Sequence, residues 1–138
     1  MAELTDKRLF LLDMDGTLYL DDDLFPGTIP FLRRIREKGG RYLFLTNNSS
    51  RGADSYVEKL RRLGIESVPE DFLTSVDALI LFLRKGAYQG KPLYVAGTES
   101  FRRQLRSAGF SVISDREEAE VLICGFDTEL TFQKLEDA

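Results

Sequence analysis

The chain has 138 residues, 43% of them apolar, and its 19 basic and 23 acidic side chains leave a formal charge of -4 at pH 7. That length suits one domain or parts of two, and that apolar share supports a packed core, which argues against wholesale disorder. Mild acidity without a dense basic patch argues against a nucleic-acid binder. The lack of any histidine excludes His-based triads and directs any metal to oxygen ligands, which suits Mg²⁺.

In chain order, the opening MAELTDKR is not a signal peptide, and no apolar run nears the roughly 20 residues that span a membrane. RLFLL, residues 8–12, reads as a buried parallel strand that ends at Asp13. YLDDDLFPG, residues 19–27, is a polar turn region suited to a small hairpin or flap, with Asp21, Asp22 and Asp23 as a solvated acidic run. Gly27 to Lys38 reads as a helix with Ile29, Leu32 and Ile35 on one face, stopped by Gly39 and Gly40. YLFLT, residues 42–46, is a second strand running into NNSSRG. An amphipathic helix follows at about 52–63, with Ala53, Tyr56, Val57, Leu60 and Leu63 inward and Gly64 at its end.

Residues 71–75 read as a short connector, and Val76 to Leu83 as a helix so apolar that much of it should be buried. KGAYQGKP, residues 85–92, is the plausible linker. Beyond it come a strand at 93–97, a helix from Glu99 to Ala108 with Phe101, Leu105 and Ala108 inward, short strands at 110–113 and 120–125, and the start of a last helix. Cys124, the one cysteine, is read as a buried strand residue; with no intrachain partner it fits a reducing compartment, so the cytoplasm is the default location. The alternation of strands and helices makes the fold class α/β with right-handed crossovers, and a second α/β unit is expected from about residue 91.

Function in such sheets collects beyond the carboxyl ends of the strands. Here the first two strands end in Asp13-Met14-Asp15-Gly16-Thr17 and in Thr46-Asn47-Asn48-Ser49-Ser50. Asp13 and Asp15, two apart, would face one side and repel each other. A divalent cation would relieve that repulsion, and so would a division of labour between a nucleophile and a proton carrier. Gly16 permits a close backbone approach, and Thr46 and Asn47 offer donors suited to phosphate oxygens. An acidic turn with Asx caps fits the same residues.

LLDMDGTLY (11–19) resembles the first motif of the haloacid dehalogenase-like hydrolases, an apolar strand followed by D-x-D-G-T/V. LFLTNNSSR (43–51) resembles their second motif, which reads TNNS in the NagD-like and 4-nitrophenylphosphatase-like subfamily. The likeness continues in family order through SYVEKLRRLGI (55–65), LYVAGTESFRRQLRSAGF (93–110) and EVLICGFDTELTFQKLEDA (120–138). Gly52 stands where relatives often carry Thr or Ser.

The resemblance implies a Mg²⁺-dependent phosphatase acting on a small phosphorylated metabolite, with neither nucleic acid nor membrane as partner. Asp13 would be the nucleophile and form an aspartyl-phosphate. Asp15 would protonate the leaving group and then activate water. The Asp13 carboxylate and the Asp15 backbone carbonyl would bind Mg²⁺, and Thr46, Asn47 and backbone N–H groups around Gly16 would hold the phosphoryl group. The implied architecture is the first part of a Rossmann-like core over 1–88 and the beginning of an α/β cap over 91–138. The family's later lysine and acidic motifs fall past position 138, so the chain by itself is expected to be weakly active or inactive. Lys85, Lys91 and Lys134 are read as surface lysines, and Asp127 is not assigned as a metal ligand. The alternative is a non-catalytic α/β module that associates, with another chain or a second copy, through open sheet edges.

Overall fold

The computed structural model describes residues 6–138; the first five residues of MAELTDKR, the stretch that does not read as a signal peptide, lie outside the described residues. Among the described residues no helix is long and apolar enough to cross a membrane. Two compact units are present, Met1–Thr46 with Ala53–Leu73, and Asn47–Gly52 with Thr74–Ala138. The expected linker at 85–92 lies inside the second unit.

The first unit runs through β1 (Leu9–Asp13), β2 (Tyr19–Leu20), β3 (Asp23–Leu24), α1 (Thr28–Glu37), β4 (Arg41–Thr46), α2 (Ala53–Arg62) and β5 (Phe72–Thr74), the last residue of which groups with the second unit. Its sheet has the order β1-β4-β5, and β1 and β4 are parallel, with Leu9 opposite Arg41 and Asp13 opposite Leu45. β2 and β3 form the small antiparallel hairpin expected of the polar turn region. The apolar faces of α1 and α2 supply Leu32, Ile35, Tyr56 and Leu60 to a core that also holds Met14, Tyr19 and Phe44.

The second unit contains α3 (Ser75–Lys85), β6 (Leu93–Ala96), α4 (Glu99–Ser107), β7 (Val112–Ile113), β8 (Val121–Cys124) and α5 (Phe132–Asp137). Its sheet has the order β7-β6-β8, with both neighbours parallel to β6. Side-chain caps start its helices. Thr74 and Asp77 form a reciprocal capping box on α3, and Thr98 and Thr131 accept from the third helical N–H of α4 and α5. Phe101 and Leu105 of α4 pack against Val95 and Ile123 of the sheet.

Several expectations are corrected. Residues 72–74 are a third strand rather than part of a connector; three residues are too few to show alternation. β1 is not buried on both faces, since Leu9 and Leu11 are 58% and 57% exposed on the face that α1 and α2 leave uncovered. Cys124 is exposed, because the two-residue period of β8 turns Ile123 inward and Cys124 out. In α3, Val76 and Leu83 are buried, but Leu81 and Phe82 face outward. The strand expected at 110–113 shortens to Val112–Ile113.

Candidate active site

The alternation of β1 continues past its last paired residue. Asp13 is exposed, Met14 is fully buried and Asp15 is exposed. The two carboxylates therefore flank an apolar anchor and share one side, as the two-residue period requires. Gly16 follows with φ of +79°, a conformation in which a β-carbon is strained, and its N–H donates to the Tyr19 carbonyl at 2.8 Å. That N–H closes the turn and brings Tyr19 back beside Asp15, with which it forms a β-bridge. Thr17 Oγ1 donates to Asp13 Oδ2 at 2.7 Å, a charge-assisted bond that restrains the carboxylate.

Sequence reasoning passed over Lys59. Its Nζ lies 3.5 Å from Asp15 Oδ1 and 4.0 Å from the centroid of the Tyr19 ring. The Lys59 side chain is only 15% exposed, against 58% for Asp15. An ammonium drawn this far out of water is compensated by a carboxylate and an aromatic face. With one partner so exposed, the ion pair adds only about 0–1 kcal/mol of stability, so its main consequence is geometric. Burial first, and then the Asp15 charge, hold the Tyr19 phenol well above its ordinary pKa, so the ring under Lys59 stays neutral. Helical spacing is the signal that could have found Lys59. It sits three positions after Tyr56 and one before Leu60, at the margin of the buried face of α2.

Thr46 ends β4, one residue beyond the position that pairs with Asp13, so the two strand ends lie side by side. It is buried, and its hydroxyl donates to the Tyr56 hydroxyl at 3.2 Å. Asn47 falls in the segment that groups with the second unit, where its carbonyl accepts from Ser75 Oγ at 3.2 Å. Asn48 Oδ1 accepts from Ser50 N–H at 2.9 Å and from Ser50 Oγ at 2.6 Å, the Asx turn that the NNSS composition allows. Asp13, Asp15, Gly16 and Thr46 thus belong to one compact unit, and Asn47 to the other.

The chemistry of the acidic pair fits Mg²⁺. Two exposed carboxylates are hard oxygen donors of the kind that hold this ion singly or in pairs while it keeps several waters. Among the described residues no group of three or more His, Cys, Asp or Glu side chains could hold an ion.

The strand ends of the second unit are built differently. A β-carbon on Gly97 or Gly125 would come within 2.6 Å of the Phe101 ring, so these ends are glycine because an aromatic ring fills the space. The Asp127 side chain is 6% exposed, and Lys134 Nζ meets its Oδ2 at 2.9 Å. The same ammonium donates to the carbonyls of Gly97 at 3.2 Å and Glu129 at 3.0 Å. Lys134, expected at the surface, is only 16% exposed, because those oxygens draw it in.

Residues 10–111 match the family model of the haloacid dehalogenase-like hydrolases. An acid sugar phosphatase of Staphylococcus aureus is 31% identical over 128 residues, which cover 93% of this chain and 49% of that protein. Among solved structures, 4-nitrophenylphosphatase from Thermotoga maritima matches with a TM-score of 0.87 at 36% identity, over 97% of this chain and 50% of that one. A glycerol phosphate phosphatase from Mycobacterium tuberculosis in complex with magnesium matches with a TM-score of 0.87 at 25% identity, over 99% of this chain and 42% of that one. The chain spans about half the length of the curated relatives it matches.

Proposed function

The chain belongs to the haloacid dehalogenase-like hydrolases, and we propose that its first unit carries the nucleophile of a Mg²⁺-dependent phosphatase acting on a small phosphomonoester. The observation that carries this reading is the exposed pair Asp13 and Asp15, flanking buried Met14 beyond the carboxyl end of a parallel strand. An Asp13 carboxylate oxygen attacks phosphorus as the bond to the leaving oxygen breaks, giving an aspartyl-phosphate, and Asp15 passes its proton to the departing alkoxide. Asp15 then takes a proton from water, the water oxygen attacks phosphorus, and the bond to Asp13 breaks to release phosphate. Thr46 and Asn47 hold the phosphoryl oxygens. Mg²⁺ would be held by the Asp13 carboxylate and the Asp15 backbone carbonyl, and when bound it supplies charge neutralisation.

The reading is supported by the matched relatives, which are named as phosphatases, one of them with magnesium. It takes residues 1–88 as the first part of the catalytic core and 91–138 as the start of an α/β cap. A cytoplasmic location accords with the single cysteine. The test is hydrolysis of 4-nitrophenyl phosphate in Mg²⁺. Chelation should abolish it, and Asp13→Asn should lower it at least about a thousandfold; turnover indifferent to both overturns the reading.

A second reading, association through sheet edges without catalysis, is favoured by Leu9 and Leu11, exposed on the terminal strand β1. A discrete oligomer by light scattering, with no turnover, supports it.

A further inference from the structure

We infer that Lys59 is the positioning residue for Asp15, holding its carboxyl group where a proton can pass to the leaving oxygen. The inference rests on the roles proposed above for Asp13 and Asp15. Asp15 lies beyond the last paired residue of β1 and is largely solvent-exposed, so the sheet leaves its side chain free to sample rotamers. Lys59 is held where Asp15 is not. Its neighbours Tyr56 and Leu60 anchor α2 in the core, and its ammonium lies 4.0 Å above the ring of Tyr19, itself fully buried. Tyr19 is fixed in turn by the Gly16 turn, whose N–H meets the Tyr19 carbonyl at 2.8 Å. The chain of support therefore runs from the core through Tyr19 and α2 to Lys59, and from its Nζ across 3.5 Å to Asp15 Oδ1.

The two carboxylates are held by different chemistry. Asp13 receives a neutral hydroxyl from Thr17, which restrains it without cancelling its charge. Asp15 receives a cation. A nucleophile needs its negative charge, whereas a proton carrier needs orientation first.

The test compares the chain with Lys59→Met and Lys59→Arg in Mg²⁺ on two phosphates. The leaving group of 4-nitrophenyl phosphate departs without a proton, and that of glycerol phosphate requires one. Lys59→Met should lower kcat/KM, which reports the steps up to leaving-group departure, about tenfold or more on glycerol phosphate and less than about twofold on 4-nitrophenyl phosphate. Lys59→Arg should restore the ratio. A second readout needs no turnover: after loading with acetyl phosphate, intact-mass measurement should find the phosphoryl group retained longer on Lys59→Met, because water activation is slowed. Equal losses of kcat/KM on both substrates, or none, overturn the inference and leave the Asp13 role standing. Turnover and phosphoryl capture that do not depend on Asp13, or that are both absent, overturn the functional reading, and the inference falls with it. If Lys59→Met melts early, Lys59→Gln, close in length and neutral, carries the same outcomes.

Discussion

The two units share a plan, a three-stranded sheet with helices against it, and differ at the ends of their strands. In the first unit the chain leaves β1 with two exposed carboxylates, one restrained by a hydroxyl and one by a largely buried lysine. In the second unit the ends of β6 and β8 are glycines packed under Phe101, and the nearby Asp127 is locked to Lys134. An aspartate after a strand is thus not a site in itself. What separates the two is whether the charge stays open to solvent or is satisfied inside the fold.

The largest expected effect tests that distinction. Asp13→Asn should lower Mg²⁺-dependent phosphoryl transfer at least about a thousandfold with little change in melting temperature. Asp127→Asn should do the reverse, keeping transfer while weakening the fold, because it leaves the Lys134 ammonium without its carboxylate. Matching activity losses in the two variants would break the comparison.

Next in size are changes to the closed end. Phe101→Ala empties the space over Gly97 and Gly125 and should cost about 3–5 kcal/mol in urea unfolding. Lys134→Met strands the Asp127 carboxylate and should cost about 3 kcal/mol. Gly125→Ala, which drives a methyl to 2.6 Å from that ring, should cost about 1–3 kcal/mol. Hydrogen exchange should locate these losses in the amides of β6 and β8; losses confined to β1 and β4 would contradict the assignment of this packing to the second unit.

Much of this was legible in the sequence, and the boundary of legibility is physical. α1, α2 and α4 were visible because their buried residues repeat at helical spacing. The placement of Asp13 and Asp15 on one side followed from strand period alone. Contacts set by azimuth or by distant chain were not visible. Lys59 is 44 residues from Asp15, and only the rotation of α2 about its axis decides that it reaches the carboxylate. Lys134 looked like a surface lysine because its acceptors, Gly97 and Glu129 carbonyls, belong to backbone that composition does not reveal. The outward face of Cys124 depended on a one-residue choice of strand phase, which flips every side chain.

The smallest expected effect concerns a buried tyrosine in each unit. Tyr19 lies beside Asp15, and the Tyr94 hydroxyl donates to Asp137 Oδ2 at 3.1 Å. Burial leads in raising both phenols above their ordinary pKa, with the neighbouring carboxylate adding to it. A group whose pKa is higher in the folded state favours folding in its protonated form. That contribution is complete below the unfolded value of about 10 and is lost as pH rises from there through the folded value. Wild type and Tyr19→Phe should therefore keep a constant difference in stability between pH 7 and 9. At pH 10.5 the wild type should have fallen relative to Tyr19→Phe by about 0.8 kcal/mol, the cost of keeping one phenol protonated half a unit above its unfolded pKa. Tyr94→Phe should show the same sign with a smaller fall, since the larger shift belongs to Tyr19. Urea midpoints at the three pH values check this. A larger fall for Tyr94 would mean that burial and carboxylate charge together weigh less on Tyr19, at the open end of the first unit, than on Tyr94 in the closed one.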